Sequence, residues 1–203
     1  MTEAKLREKF LGCLNRLSQK EAFKRRLLFF ADSVNSFEGW LNWELAWAFA
    51  EKHRWPAYSA ARESRLEGGG LADVVLAVGR EYQPGMPACH VETKLIWANA
   101  NRPKMLRYAV DDYRRLQGLS AGLMLVVAVS AGKSEGPSAP LKVEPPEKTL
   151  KLYEAALAKA GIRPPTGAFA CRIEAPLSDE WYLSPRIHLR AYPVEPIGNG
   201  ARR

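Results

Sequence analysis

The pattern of apolar and polar positions divides this chain into alternating helices and strands. Apolar residues recur every three or four positions in five stretches, which predicts amphipathic helices. These helices cover residues 3–17, 21–32, 36–53, 99–117 and 147–160, with Ser36 expected as the N-cap of the third. Short β-branched or alternating runs predict strands at residues 58–66, 71–78, 88–97, 122–130, 168–175 and 181–192.

Two of these strands form a β-hairpin around which the chain is organised. Residues 71–78 are almost wholly apolar, and the loop after them contains the turn formers Gly79, Pro84, Gly85 and Pro87. The second strand alternates, so its side chains should separate onto two faces. His90, Glu92 and Lys94 then share one face, and Val91, Thr93 and Leu95 share the other.

The hairpin register brings two acidic residues together. If Val78 and Pro87 flank the loop, antiparallel pairing places Asp73 opposite Glu92, with Cβ atoms roughly 5 Å apart. Two carboxylates at that distance repel each other, so they need a counter-charge. Lys94 is one candidate and a divalent cation is the other. Mg²⁺ binds carboxylate oxygens together with water and substrate phosphate.

These residues resemble a known signature. Asp73, followed after eighteen residues by Glu92-Thr93-Lys94, is similar to the PD-(D/E)xK motif of the restriction-endonuclease-like nucleases, although Ala72 stands where the motif has proline. The resemblance implies that Asp73, Glu92 and the backbone carbonyl of Thr93 bind Mg²⁺ or Mn²⁺. It also implies that Lys94 positions the attacking water, and that an acidic residue on the preceding helix joins the metal shell.

Glu44 is the candidate for that helical acidic residue. Its neighbours at three and four positions are Trp40, Leu41, Trp47 and Ala48, so its carboxylate projects from an apolar stripe. It either supports the metal or forms an ion pair with an arginine such as Arg62 or Arg65. We expect the nearby tryptophans to belong to the core rather than to a base-stacking platform. These are Trp40, Trp43 and Trp47.

The element order predicts an α/β fold in a single domain. A hairpin, a helix and then the apolar strand 122–130 form the order required for a crossover to a parallel neighbour. We expect a restriction-endonuclease-like core with a central mixed sheet flanked by helices. The predicted organisation is a helical extension at 1–36, the core at 37–130, a helix and closing strands at 131–197, and a disordered tail at 198–203.

Charge and composition favour a polyanionic partner. The formal charge is +8 and the pI is near 9.5, which indicates nucleic acid, and we expect DNA rather than RNA. Lys104, Arg107 and Arg114 on the fourth helix are the candidate phosphate contacts, whereas Asp111 and Asp112 beside them favour intrahelical ion pairs. The three scattered cysteines form no CxxC motif and are expected to be buried.

Neither a signal peptide nor a spanning segment is evident, so we expect a cytoplasmic protein without membrane contact. Three hypotheses follow. The first is a metal-dependent nuclease with Asp73, Glu92, Lys94 and Glu44 as its catalytic residues, for which a homodimer is one option. The second is an inactive protein of the same fold that binds nucleic acid or another protein. The third is a structural cluster in which Lys94 bridges Asp73 and Glu92.

Overall fold

Five helices and six strands make up the part of the chain that the structure describes. The computed structural model describes residues 1–53, 57–65, 71–83, 86–119, 122–132, 144–175 and 183–195. The helices are α1 (Glu3–Gln19), α2 (Glu21–Asp32), α3 (Glu38–Lys52), α4 (Arg102–Gln117) and α5 (Pro146–Lys159). The strands are β1 (Tyr58–Arg65), β2 (Leu71–Val78), β3 (Ala88–Trp97), β4 (Gly122–Ser130), β5 (Phe169–Glu174) and β6 (Arg186–Val194).

All six strands join one mixed sheet in the order β1-β2-β3-β4-β6-β5. Only β3 and β4 run parallel, and the other neighbouring strands in this part of the chain are antiparallel. The parallel pair is joined through α4, which is the crossover that the sequence predicts. The structure therefore confirms an α/β fold with a central mixed sheet flanked by helices.

The helices cover both faces of the sheet. A core cluster on one face combines α1, α2 and α3 with sheet residues such as Val91 and Leu125. A second cluster packs α4 and α5 against the opposite face, including Met124 and Val126. Strand β4 lies between these layers, and all nine of its residues are buried. Since α1 and α2 share a core with the sheet, residues 1–36 are integral to the domain.

None of the helices in the described ranges is both long enough and apolar enough to cross a membrane.

The hairpin register agrees with the prediction, and its two strands separate at the acidic residues. Strands β2 and β3 pair from Ala77–Ala88 to Val74–Val91. Beyond that pair, β2 continues along β1 to Leu71, while β3 continues along β4 to Trp97. The next position in the register places Asp73 across from Glu92, where the two strands diverge.

Some of the expected side-chain positions are wrong. Trp43 and Trp47 are 62% and 66% exposed, because α3 buries the stripe through Leu41, Leu45 and Phe49 instead. Tyr108 on α4 is 42% exposed.

The ends of two elements also differ from expectation. Helix α3 has Phe37 rather than Ser36 at its N-cap, and no side chain caps it. Strand β6 is an interior strand rather than a solvated sheet edge, because it lies between β4 and β5. The expected start of this strand at residues 181 and 182 and the tail at 198–203 lie outside the described residues.

The cysteines are free thiols. Cys13 and Cys89 are buried, as expected, whereas Cys171 is only partly buried. Burial raises the pKa of the Cys89 thiol to about 12, so it is an inert core residue.

We predict that Leu125→Ala in β4 lowers the free energy of unfolding by about 2–5 kcal/mol, because it removes a fully buried side chain and leaves a cavity. Urea denaturation measures this change. Leu71→Ala, at an exposed position of β2, is the matched control and should change stability by no more than about 0.5 kcal/mol. Equal effects of the two substitutions would contradict the described core.

Candidate active site

Where β2 and β3 diverge, backbone N–H groups of β3 donate hydrogen bonds to side chains instead of to a neighbouring strand. The N–H of Thr93 donates to the Asp73 carboxylate at 2.8 Å, and the N–H of Leu95 donates to Glu38 at 3.0 Å. Glu38 belongs to the first turn of α3, so this helix reaches β3 from the opposite layer to α4. In an extended strand the N–H and C=O of one residue point to the same side. The Thr93 carbonyl therefore also faces the side on which Asp73 lies.

Glu92 is the most deeply buried carboxylate of the site, with its side chain 2% exposed. Burial raises its pKa from 4.5 to about 8, and the adjacent charge of Asp73 adds to this effect. A hydrogen bond between Glu92 and Asp73 acts in the same direction. Arg115 of α4 forms an ion pair with Glu92 and lowers its pKa, but it offsets the other effects only in part. Glu92 therefore holds a proton readily near neutral pH.

Lys94 does not bridge Asp73 and Glu92, so that form of the structural-cluster hypothesis is wrong. Its ammonium lies 3.0 Å from Asp112 of α4 and 3.9 Å from Glu38. Burial lowers the pKa of Lys94, but the charges of Glu38 and Asp112 outweigh burial and raise it overall. Lys94 is thus a fixed cation on the same strand face as Glu92, next to the carboxylate pair.

Glu38 shares the environment of this lysine. Burial raises the pKa of Glu38, while Lys94 and the hydrogen bond from the Leu95 amide act in the opposite direction.

The acidic cluster, which we define as Glu38, Asp73, Glu92 and Asp112, contains more negative than positive charge. These four carboxyl groups share two cations, Lys94 and Arg115. With every group ionised, the formal balance is two negative charges, which fits a divalent cation. The donors are carboxylate and carbonyl oxygens, which Mg²⁺ and Mn²⁺ prefer.

No set of three or more His, Cys, Asp and Glu side chains within the described ranges is grouped to hold a metal ion. The oxygen donors available for a metal are therefore the Asp73 and Glu92 carboxylates and the Thr93 carbonyl. A site with one or two carboxylates and several waters is the usual one for Mg²⁺, so these residues fit the ion.

Glu44 is not among the residues that contact this cluster in the described interactions. Its carboxylate forms an ion pair with Arg26 of α2 at 2.8 Å. The side chain of Arg65, one of the expected partners, lies outside the described residues. The acidic residue that α3 contributes is Glu38, one turn and a half earlier. Its position in the first turn next to an apolar stripe was the available signal.

Asp112 and Arg115 are the other residues that the sequence did not assign to the site. They form the expected ion pair between α4 neighbours, at 3.1 Å, and at the same time contact β3. Their three-residue spacing on the helix that follows the ExK strand was the signal for this double role.

The predicted phosphate contacts on α4 lie away from the cluster. Lys104 and Arg107 both lie over the exposed ring of Tyr108, 5.6 Å and 5.8 Å from its centroid. Arg114 donates to the Ala160 carbonyl at 3.1 Å, which joins α4 to the end of α5. The first two residues therefore form an exposed basic surface, whereas Arg114 already takes part in helix packing.

The other polar residues on the faces of β3 and β6 pack against neighbouring side chains. His90 is buried, with its ring edge-on to Tyr82 at 6.2 Å. The alternating basic residues of β6 face α5, where His188 lies 3.4 Å from Glu147 and Arg190 lies 2.8 Å from Glu154. Helix α5 thus covers this basic face of β6 and contributes Glu147 and Glu154 to it.

Fold and site together define an α/β protein with a partly buried acidic cluster at a strand divergence. Comparison of the chain with protein-family models, with curated proteins and with solved structures finds no match.

We predict that Glu92 gives the metal-free protein a pH-dependent stability that Glu92→Gln removes. Its folded-state pKa of about 8 lies above the ordinary 4.5, so the folded protein holds an extra proton between these values. This contribution is complete below about pH 4.5 and is lost as the pH rises through 8. Stability of the wild type relative to Glu92→Gln should fall by up to about 1.4 kcal/mol per pH unit in that window. Urea denaturation in EDTA at several pH values measures it, and parallel curves for the two proteins would contradict it.

Proposed function

We propose that this protein is a metal-dependent nuclease that hydrolyses phosphodiester bonds in nucleic acid, DNA in preference to RNA. The observation that carries the proposal is the contact of Asp73 with the buried Glu92 at the point where β2 and β3 diverge, with Lys94 on the same face of β3 as Glu92. This is the arrangement of the PD-(D/E)xK signature that the sequence resembles. The order hairpin, helix and parallel strand supports the same family core.

Asp73, Glu92 and the Thr93 carbonyl would hold Mg²⁺ or Mn²⁺ in this proposal. The bound ion would supply charge neutralisation at the phosphate and polarisation of a water molecule. The protein contributes a rigid frame, since the Thr93 amide fixes Asp73 and strand β3 fixes Glu92. Deprotonation of Glu92 accompanies its use as a ligand, because burial and Asp73 keep its pKa near 8.

Lys94 would orient the attacking water and offset the negative charge that develops on the phosphate. Asp112 and Glu38 hold its ammonium in place and keep it protonated, so its contribution is electrostatic. Lys104 and Arg107 would contact the phosphate backbone outside the site, because they form an exposed basic surface on the same helix as Asp112.

A specific observation favours the alternative of an inactive nuclease-like protein that binds nucleic acid. Arg115 already neutralises Glu92, so the carboxylate pair has one built-in cation. Nevertheless, the cluster retains more carboxylates than cations, and the Asp73, Glu92 and Lys94 set is complete. We therefore place the nuclease first and the binding protein second.

We predict that the wild-type protein cuts supercoiled plasmid or labelled single strands with Mg²⁺ or Mn²⁺ but not with EDTA. Asp73→Asn and Lys94→Met should each lower the cleavage rate by about 10²–10³-fold, because each removes a charge that acts on the reacting phosphate. Gel assays with initial rates provide the measurement.

Lys104→Met is the matched control for Lys94→Met, since it removes a lysine that lies on Tyr108 rather than in the cluster. It should weaken substrate binding and leave the maximal rate close to that of the wild type. If the wild type cuts none of the substrates and binds no Mn²⁺ by calorimetry, the nuclease proposal fails and the binding protein takes its place.

We also predict that the acidic residue of α3 required for activity is Glu38 rather than Glu44. Glu38→Gln should lower the cleavage rate at least about tenfold, because it removes a carboxylate that positions both Lys94 and the Leu95 amide. Glu44→Gln changes an ion pair with Arg26 and should stay within about threefold of the wild type. A greater loss of cleavage rate in Glu44→Gln than in Glu38→Gln would contradict this prediction and indicate that Glu44 acts at the metal.

A further inference from the structure

A concave surface lies along the exposed side of α3. We name it the tryptophan groove. It is a cavity of about 860 Å³ between α3 and the edge strand β1. Trp43 and Trp47 form one wall and Tyr82, after β2, belongs to the other, while Ala46, Ala50 and Ala60 contribute to the floor.

The two tryptophans are exposed on the same face of one helix. They are four residues apart, so their indoles lie one above the other by a helical turn. Both are more than half exposed, although the opposite side of α3 packs into the core through Leu45 and Phe49. Adjacent exposed aromatic side chains beside a concave surface are typical of a binding site, whereas single exposed apolar residues occur on most protein surfaces.

The charged residues around the groove fit a nucleotide. The Arg62 guanidinium lies 4.8 Å from the centroid of the Trp43 ring, which forms a cation–π pair. Arg80 lines the groove together with Glu51 and Glu81. Arginine can pair with phosphate, and a glutamate can accept a hydrogen bond from a base amino group. Flat aromatic rings stack on bases of any sequence, and small floor residues allow a flat ring to approach.

Arg62 lies between Trp43 of the groove and residues next to the acidic cluster. It pairs with Val74 in the sheet, which is the residue after Asp73. Its Nη2 atom also lies 4.0 Å from the position that a Cβ would take on Gly39, next to Glu38.

We propose that the tryptophan groove binds unpaired nucleotides, with bases stacked against Trp43 and Trp47. A nucleotide is favoured over a peptide because the chain carries a formal charge of +8 and the groove places Arg80 beside stacking rings. The bases of a duplex are already stacked on one another, so the groove selects single-stranded nucleic acid. The further step, that this strand is the one cut at the acidic cluster, rests on the proposed nuclease function.

The test is fluorescence anisotropy of a labelled single-stranded dT oligonucleotide and of a labelled duplex of equal length, both in EDTA. Trp43→Ala/Trp47→Ala should weaken binding of the single strand by at least about tenfold, because stacking on both indoles is lost. Trp43→Phe/Trp47→Phe keeps two aromatic rings and should retain most of the affinity. Phe29→Ala on α2 is the matched control, since it removes an aromatic residue that is 63% exposed away from the groove, and it should bind as the wild type does.

The inference is overturned if the double alanine variant binds the single strand as tightly as the wild type does. It is also overturned if the wild type binds the duplex equally well. A dimeric wild type and a monomeric variant with unchanged oligonucleotide binding would assign the groove to self-association instead. Circular dichroism verifies that each variant is folded.

Asp73→Asn separates this inference from the nuclease proposal. It should bind the single strand with wild-type affinity and not cut it when Mg²⁺ is added. Binding without cleavage by the wild type would leave the groove in place and remove the nuclease. Cleavage of single strands that is insensitive to both tryptophans would leave the nuclease in place and remove the groove.

Discussion

The constraint on which the site depends is the separation of β2 from β3 immediately after the Val74–Val91 pair. A strand that loses its neighbour exposes backbone N–H groups in the protein interior, and these must find acceptors. Here the acceptors are the Asp73 and Glu38 carboxylates rather than another strand. The divergence thus places carboxylates on one side of β3, and Lys94 and Arg115 form ion pairs with carboxylates of the acidic cluster.

The helices on both faces of the sheet stabilise this group of partly buried charges. Helix α3 brings Glu38 from one side of the sheet, and α4 brings Asp112 and Arg115 from the other. Both helices are anchored by apolar packing against the sheet, which supplies stability that the buried charges do not. Polar clusters that oppose the local rules of packing are expected at functional positions. The excess of carboxylates over cations is a feature of that kind.

The sequence predicts features whose causes are local. The loop formers between Val78 and Ala88 determine the hairpin register, and the register alone places Asp73 across from Glu92. A run of nine apolar or small residues likewise identifies β4 as a buried strand. The buried side of helix α3 is harder to predict, because Leu41 and Leu45 form one apolar stripe and Trp43 and Trp47 form another. Periodicity cannot decide which stripe faces the sheet, so the tertiary contacts determine it.

The same ambiguity explains why the sequence pattern indicates Glu44 rather than Glu38 as the acidic residue that α3 contributes to the site. Turning the Leu41 stripe towards the sheet turns Glu44 towards α2, where Arg26 meets it, and leaves the start of the helix beside Lys94. With a rise of about 1.5 Å per residue, Trp43 and Trp47 then follow Glu38 by about 8 Å and 14 Å along the helix axis. One helix therefore sets the spacing between the carboxylates and the exposed indoles. Because α3 is packed against the sheet, the Glu38 carboxylate and the exposed indoles of Trp43 and Trp47 keep a fixed separation.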